Sequence, residues 1–142
     1  SITSPGRLEV VGHRPLVILD GAHNVAGAHA MLAAVEEEFA ASPRTLLVGL
    51  LREKDPLEML DVLGARHAEH IVCARPPSPR AMDPAALAEA ARDLGINDTR
   101  ITTVDDVADA VTVARSLTDE EGQLLITGSL YLVGAARAAI LT

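Results

Sequence analysis

The chain has 142 residues, and its 12 basic and 20 acidic side chains give a formal net charge of −8. Apolar residues make up 49% of the chain and aromatic residues only 1%. This composition is too apolar for a disordered protein, too acidic for a general nucleic-acid binder, and too poor in aromatic rings for a groove that stacks bases. The single cysteine, Cys73, excludes a disulfide framework and favours a reducing cytoplasm. No apolar run approaches the roughly 20 residues of a membrane helix.

The start of the chain predicts a linker. Residues 1–6, Ser-Ile-Thr-Ser-Pro-Gly, precede any apolar pattern. We expect them to be the remnant of an interdomain linker, and we expect residues 7–142 to form one domain of ordinary size.

From residue 8 onward, strand-like runs alternate with helical patterns. Short apolar runs predict six strands, at residues 8–11, 16–19, 46–50, 70–74, 101–104 and 123–127. A turn through residues 12–15 joins the first two. Apolar side chains spaced three and four apart predict five helices, within residues 28–39, 57–63, 87–94, 107–117 and 130–141.

Helix ends are marked by residues that cap them. Candidate N-caps precede all five helices: Asn24, Asp55, Asp83, either Asp105 or Asp106, and Ser129. A proline follows two of these aspartates, at the first helical position, where its missing N–H costs nothing. Gly95 stands just after the third helix, which is typical of a helix end.

The alternation of strands and helices indicates parallel strand pairing with right-handed crossovers. We therefore predict an α/β fold, a Rossmann-like doubly wound and mostly parallel sheet of about six strands with helices on both faces. The first strand is expected to pair antiparallel at one edge.

Polar residues concentrate in the turns that follow three of the buried strands. Asp20 and His23 follow the first of these strands, Lys54 follows the next, and Ser129 follows the last. The carboxyl ends of parallel strands share one edge of the sheet, where ligands bind in such folds. We therefore expect these side chains to open on the same edge.

Each of these residues has a structural and a functional interpretation. Asp20 either forms a turn or accepts hydrogen bonds from paired hydroxyls such as those of a ribose. His23 is either a loop residue or a proton donor and acceptor near neutral pH. Lys54, the only lysine, is either solvated or holds a carboxylate or phosphate. Ser129 either caps its helix or helps the helix N-terminus to hold an anion.

Other chemistries have weaker support. The histidines show no metal-ligand spacing, so we predict no metal site. Ser129, His23 and Asp20 could form a hydrolytic triad on paper, but the G-x-S-x-G elbow is absent. Neither G-x-G-x-x-G nor a P-loop occurs, so the domain lacks a nucleotide cradle of its own.

Four strings stand in order at fitting intervals: PGRLE from residue 5, LDGAHN from residue 19, GLLREKD from residue 49 and TGSLYLVG from residue 127. Over nearly the whole chain they resemble the C-terminal domain of the folylpolyglutamate synthase/dihydrofolate synthase family, within the Mur ligase superfamily. Val25 stands where the family usually has proline, and Glu53 stands where it usually has aspartate. Neither departure removes a proposed ligand.

The resemblance implies an ATP-dependent ligase. Family enzymes phosphorylate a carboxylate of a folate or dihydropteroate with ATP, and the amine of L-glutamate then forms the amide with release of phosphate. The P-loop, the Mg²⁺ ligands and most of the folate site lie in a larger N-terminal domain. By this resemblance residues 7–142 are a Mur-ligase-type C-terminal, glutamate-ligase domain that binds neither ATP nor Mg²⁺ alone and is inactive alone.

The resemblance also implies roles for single residues. Arg7 would contact ATP phosphate, and Asp20 would hold the adenosine ribose or help to set domain closure. His23, Lys54 and Ser129 would shape the glutamate and acyl-phosphate side. His23 and Asp20 are the catalytic candidates.

Two other functions remain open. The chain could be the C-terminal domain of a peptidoglycan-precursor Mur ligase with another amino acid as nucleophile, which the LDGAHN and SLYLVG strings disfavour. It could also be a free-standing α/β binding or regulatory module. A reading frame that continues upstream into a P-loop domain would argue against this module.

Overall fold

The computed structural model describes residues 6–142, in which six strands and five α-helices alternate. The strands are β1 (Glu9–His13), β2 (Leu16–Asp20), β3 (Arg44–Val48), β4 (His70–Cys73), β5 (Ile101–Thr103) and β6 (Gln123–Thr127). The helices are α1 (Val25–Glu38), α2 (Pro56–Val62), α3 (Pro84–Asp93), α4 (Val107–Ser116) and α5 (Leu130–Leu141). Of the predicted linker, only Gly6 lies within the described residues.

The sheet has the strand order β1-β2-β6-β3-β4-β5. Every neighbouring pair is parallel except β1 and β2, which pair antiparallel at the edge, as predicted. The last strand of the sequence, β6, lies between β2 and β3. The carboxyl ends of these three strands are therefore side by side.

The central strands are buried on both faces. Leu125 of β6 packs in one apolar layer, and its neighbours Leu124 and Ile126 pack in the other. The first layer is filled by α1, α2 and α3, and the second by α4 and α5. The predicted doubly wound α/β fold with helices on both faces is confirmed. None of the helices described within residues 6–142 is long and apolar enough to cross a bilayer.

Side chains cap the helices where the sequence predicts. The N-caps whose oxygens accept bonds from backbone N–H groups of the first turn are Asn24, Asp55, Asp83 and Asp106. The other candidate for α4, Asp105, instead accepts a bond from Arg75 Nε at 2.7 Å. Gly95 follows α3 with a φ of +88°, in the left-handed region that glycine adopts without strain.

The predicted first turn was too long. Gly12 and His13 belong to β1 and pair with Val17 and Leu16, after an irregularity in the register. The turn itself contains only Arg14 and Pro15 between the two strands. Antiparallel pairing extends β1 beyond its apolar run, because the backbone hydrogen bonds do not depend on side-chain polarity.

Two details after β2 also differ from the prediction. β3 ends at Val48 rather than at Leu50, because the chain leaves the sheet and Leu50 accepts a bond from Met82 N at 2.8 Å. Of the apolar positions predicted for α2, Leu60 and Leu63 are buried, but Leu57 is 40% exposed, and Met59 is buried in addition.

Candidate functional site

A cleft of about 770 Å³ opens at the carboxyl end of β2. One wall is the segment of residues 6–8, called here the hinge segment, and another is the turn of residues 20–24. The third wall is α1, which presents the small residues Gly27, Ala30 and Ala34. Met31 of α1 and Leu130 in the first turn of α5 complete the lining.

Asp20 ties the hinge segment to the sheet. Its Oδ2 accepts a hydrogen bond from Leu8 N at 3.0 Å, and its Oδ1 accepts one from Ala22 N at 2.9 Å. Beside it, Gly21 N donates to Gly6 O at 2.6 Å. Asp20 and Gly21 therefore hold residues 6–8 against the end of β2.

Burial raises the pKa of the Asp20 carboxyl above its ordinary value, against the bonds from Ala22 and Leu8 and the charge of Arg7, which act in the opposite direction. Both carboxylate oxygens are bonded to backbone N–H groups, which favours the charged form. Arg7 is exposed on the cleft wall and belongs to none of the ion pairs found in residues 6–142. Its guanidinium is therefore available to an anion in the cleft.

His23 also lies on the cleft wall and is exposed. Its Nδ1 is 3.2 Å from Gly21 O, which makes Nδ1 the protonated nitrogen of the neutral ring. The other ring nitrogen is then left as an acceptor.

Lys54 lies in the turn after β3, outside the walls of the cleft. It is half-buried and takes part in no ion pair found among residues 6–142. By contrast, Oε1 of the neighbouring Glu53 lies 3.3 Å from Arg80 Nη1, in an ion pair. Lys54 is thus a cation at the carboxyl edge whose charge is not neutralised by this part of the chain.

Ser129 is the N-cap of α5, and its Oγ accepts bonds from Tyr131 N at 3.0 Å and Leu132 N at 3.3 Å. It is buried, so of the five predicted residues it has the least support for a ligand contact. The preceding Gly128 has a φ of +116°, and a Cβ there would lie 2.6 Å from Gly49 O. Only glycine lets β6 enter α5 this close to the turn after β3.

The structure brings three of the five predicted residues together and leaves two apart from them. Arg7, Asp20 and His23 line one cleft, whereas Lys54 and Ser129 follow neighbouring strands on the same edge without reaching it. Within residues 6–142, no three His, Cys, Asp or Glu side chains gather as metal ligands would.

Sequence reasoning missed one polar residue at this edge. Thr127 is fully buried at the end of β6, and its Oγ1 has no hydrogen-bond partner among residues 6–142. Its register partners are Asp20 on β2 and Val48 on β3. The signal in the sequence was a threonine ending an apolar strand, which also fits ordinary β-propensity.

The apolar residues at this edge were missed as well. Leu130 and Tyr131 in the first turn of α5 are exposed, Leu130 to 64%, as is Leu57 in the first turn of α2. Three of the four large exposed apolar side chains described in residues 6–142 thus follow the carboxyl ends of β3 and β6. Exposed apolar groups beside unpaired polar ones are typical of a surface that meets another surface.

Comparisons with a family model and with known proteins point to the same family. Residues 6–130 match the family model described as Mur ligase, glutamate ligase domain. Over 96% of its length the chain is 35% identical to a folylpolyglutamate synthase of Lacticaseibacillus casei and 36% identical to a dihydrofolate synthase/folylpolyglutamate synthase of Mycobacterium tuberculosis. The chain spans only 30% of the length of either relative.

Solved structures show the same similarity. A Mycobacterium tuberculosis folylpolyglutamate synthase complexed with ADP and AMPPCP superposes with a TM-score of 0.88 at 36% identity, over 99% of this chain and 33% of that one. A bifunctional folylpolyglutamate synthase/dihydrofolate synthase with Mn, AMPPNP and L-glutamate bound superposes with a TM-score of 0.84 at 27% identity. The match covers 99% of this chain and 32% of that one.

Proposed function

This chain belongs to the family of Mur ligase glutamate ligase domains, and from that premise we propose that it serves an ATP-dependent ligase that joins L-glutamate to a folate or dihydropteroate. The relatives named above carry the folylpolyglutamate and dihydrofolate synthase activities. The observation that carries the proposal is the carboxyl edge of the sheet. There the Arg7–Asp20–His23 cleft, the unneutralised Lys54 and the exposed start of α5 lie on neighbouring strands.

The proposed reaction has two steps. A carboxylate of the pterin substrate takes the γ-phosphoryl group of ATP, which leaves as ADP. The amine of L-glutamate then attacks the acyl carbon, the amide bond forms, phosphate leaves and the amine loses a proton. Glutamate has two carboxylates and must keep its amine free, so cations that hold its carboxylates orient the nucleophile without blocking it.

Within this scheme each residue of the edge has a role suited to its surroundings. Arg7 binds nucleotide phosphate from the cleft wall, because its guanidinium is exposed and free of ion pairs within residues 6–142. Asp20 fixes the hinge segment beneath it. In this proposal His23 accepts the proton of the amine, supported by an exposed ring on the cleft wall, and Lys54 holds a carboxylate of glutamate, supported by its unpaired charge within residues 6–142. Ser129 sets the start of α5 and supports the glutamate side.

We propose a preceding P-loop domain as the partner of this edge. As the family resemblance implies, that domain would hold Mg²⁺ and most of the nucleotide. The relatives solved with ADP, AMPPCP, AMPPNP and Mn are about three times as long as this chain. The exposed Leu130, Tyr131 and Leu57 supply apolar area for the contact. Closure there would exclude water from an acyl phosphate, which water would otherwise hydrolyse.

The test is a kinetic measurement on the full-length protein that contains this domain. With ATP, Mg²⁺ and dihydropteroate or a reduced folate, we expect ADP release that depends on L-glutamate and a product heavier by one glutamyl residue. Lys54→Ala should raise the KM for glutamate about tenfold, the usual cost of one charged contact. Arg52→Ala removes an exposed cation from the same turn and is the matched control.

Three outcomes of that measurement would contradict the proposal. Absence of glutamate-dependent ADP release with either pterin would remove the function. Activity with a peptidoglycan precursor and another amino acid instead would transfer the domain to that branch of the superfamily. An equal rise in KM for the Arg52 and Lys54 variants would show a general charge effect and remove Lys54 from the site.

A further inference from the structure

Three hydrogen bonds fix the hinge segment that carries Arg7. Gly6 N donates to Glu9 Oε1 at 3.0 Å, Gly6 O accepts from Gly21 N, and Leu8 N donates to Asp20. Leu8 also has a φ of +46°, a left-handed conformation that costs a residue with a Cβ free energy. Such strain persists only where surrounding contacts determine it. The peptide units on both sides of Arg7 are thus fixed.

Glu9 is the one of these anchors that reaches away from the cleft. Its two carboxylate oxygens accept bonds from Arg137 Nε on α5 at 3.0 and 3.1 Å, while Oε1 also holds Gly6 N. Its side chain is only 18% exposed. The pKa of Glu9 is lowered, mainly by the hydrogen bond from Gly6 N. Burial acts in the opposite direction, and the hydrogen bond and charge of Arg137 lower the pKa further. The carboxylate is therefore charged and occupied on both sides.

We infer that Glu9 is a positioning residue for Arg7, fixed by Arg137, and that it thereby couples α5 to the nucleotide contact. The same helix begins at Ser129 on the carboxyl edge and carries Arg137 two turns later. A shift of α5 is then passed through Arg137 and Glu9 to Gly6, the residue next to Arg7. This inference rests on the proposed function only in so far as Arg7 contacts a nucleotide phosphate.

A double-mutant cycle on nucleotide binding tests the coupling in the full-length protein. The probe is AMPPNP, titrated by calorimetry, so that the reading does not depend on ligase activity. Arg7→Ala should weaken binding about tenfold. Glu9→Gln keeps the shape and one acceptor oxygen but loses the charge and replaces Oε2, which also contacts Arg137 Nε, with an NH₂ donor; it should weaken binding about threefold to fivefold. In the Arg7→Ala background, Glu9→Gln should add less than about a twofold change, because its effect acts through Arg7.

Two further variants separate positioning from plain stability. Arg137→Lys keeps the charge but loses the guanidinium geometry, so we expect an effect between wild type and Glu9→Gln. Glu120→Gln breaks an exposed ion pair with Arg14 at the other end of the sheet and should leave the affinity unchanged.

Several results would overturn the inference. Additive losses in the double variant would show that Glu9 does not act through Arg7. Unchanged affinity for Glu9→Gln with a lowered unfolding temperature would make Glu9 purely structural. Unchanged affinity for Arg7→Ala would remove the contact itself. Ligase turnover is measured separately and tests the proposed function. Failure of the proposed function can therefore be told apart from failure of the coupling.

Discussion

The two ends of the parallel sheet differ in how their polar groups are satisfied. At the amino end, buried Gln123 accepts a bond from Arg44 Nε at 2.6 Å. Arg14, also at this end, pairs with both Glu120 at 3.0 Å and Glu121 at 2.9 Å. These polar groups find their partners within the described chain.

At the carboxyl end only some polar groups find such partners in residues 6–142. Arg75 pairs with Asp105 at 2.7 Å, and Arg80 pairs with Glu53 at 3.3 Å, whereas other groups stay unpaired within this range. Thr127 Oγ1 is buried without a hydrogen bond, and Arg7 and Lys54 belong to no ion pair of these residues. Leu130 and Tyr131 expose apolar surface beside them. A buried polar group without a partner calls for a physical explanation. Arg7 and Lys54, unpaired in the described part of the chain, and the exposed Leu130 and Tyr131 are the groups that the contact proposed for the carboxyl end would use, whereas Thr127 is fully buried and is not one of them.

The largest expected effect comes from removing one exposed arginine at each end of the sheet and comparing the two variants. In the full-length protein, Arg7→Ala should lower kcat/KM for ATP roughly 100-fold, because a preorganised donor to developing phosphate charge is lost. Arg14→Ala, also an exposed arginine, should leave the kinetics unchanged, because it only breaks surface ion pairs. Equal effects in steady-state kinetics would erase the functional difference between the ends.

The second prediction concerns stability at the amino end. Gln123→Leu should lower the free energy of unfolding by about 2 kcal/mol, because it leaves the half-buried Arg44 without its acceptor. Burial already lowers the pKa of Arg44, the mark of a charge that is poorly solvated. Gln123→Glu, which keeps an acceptor, is the control. Urea unfolding measures both, and the KM values should not change.

The third prediction compares the two ends of α5. Leu130 lines the cleft beside Arg7 and supplies apolar area for the proposed contact with a preceding domain, so Leu130→Ser should raise the KM for ATP about fivefold, a loss of about 1 kcal/mol. Leu141→Ser changes an apolar residue that is 52% exposed at the far end of the same helix and should have no kinetic effect. Similar KM values for both variants would show that the exposed start of α5 is not a contact surface.

The smallest effect is expected at Thr127. Thr127→Val replaces a buried hydroxyl that lacks a partner in residues 6–142 with a methyl group of similar size, so stability should stay level or rise by up to about 1 kcal/mol. Thr127→Ser keeps the hydroxyl and is the matched variant. A clear loss of stability in the valine variant alone would show that the hydroxyl is satisfied after all.

The fold was predictable because each element leaves a local signature. Apolar runs indicated β2 and β6, and aspartates with following prolines marked α2 and α3. Local signatures failed where tertiary contacts override them. Gly49 and Leu50 continue the apolar run of β3, but the chain turns there to meet the loop before α3. Leu57 has helical spacing, yet it lies in the first turn of α2, at the rim of the sheet.

The candidate site was predictable only in part. The parallel sheet alone places Asp20, Lys54 and Ser129 on one edge, whatever their contacts. The bond from Leu8 to Asp20 depends on antiparallel pairing of β1 with β2. The ion pair of Glu9 with Arg137 joins residues 128 positions apart and depends on how α5 packs against β1. No local pattern contains such information.

Amide hydrogen exchange of the full-length protein tests the difference between the two ends most directly. It would be measured by mass spectrometry without ligands and then with AMPPNP, Mg²⁺ and L-glutamate. We expect protection to increase in peptides covering residues 20–24, 51–55 and 128–131, and to stay unchanged in those covering residues 13–16 and 119–123. Protection gained equally at the amino end, or none at the carboxyl end, would contradict the proposal that substrates and a second domain meet at the carboxyl end.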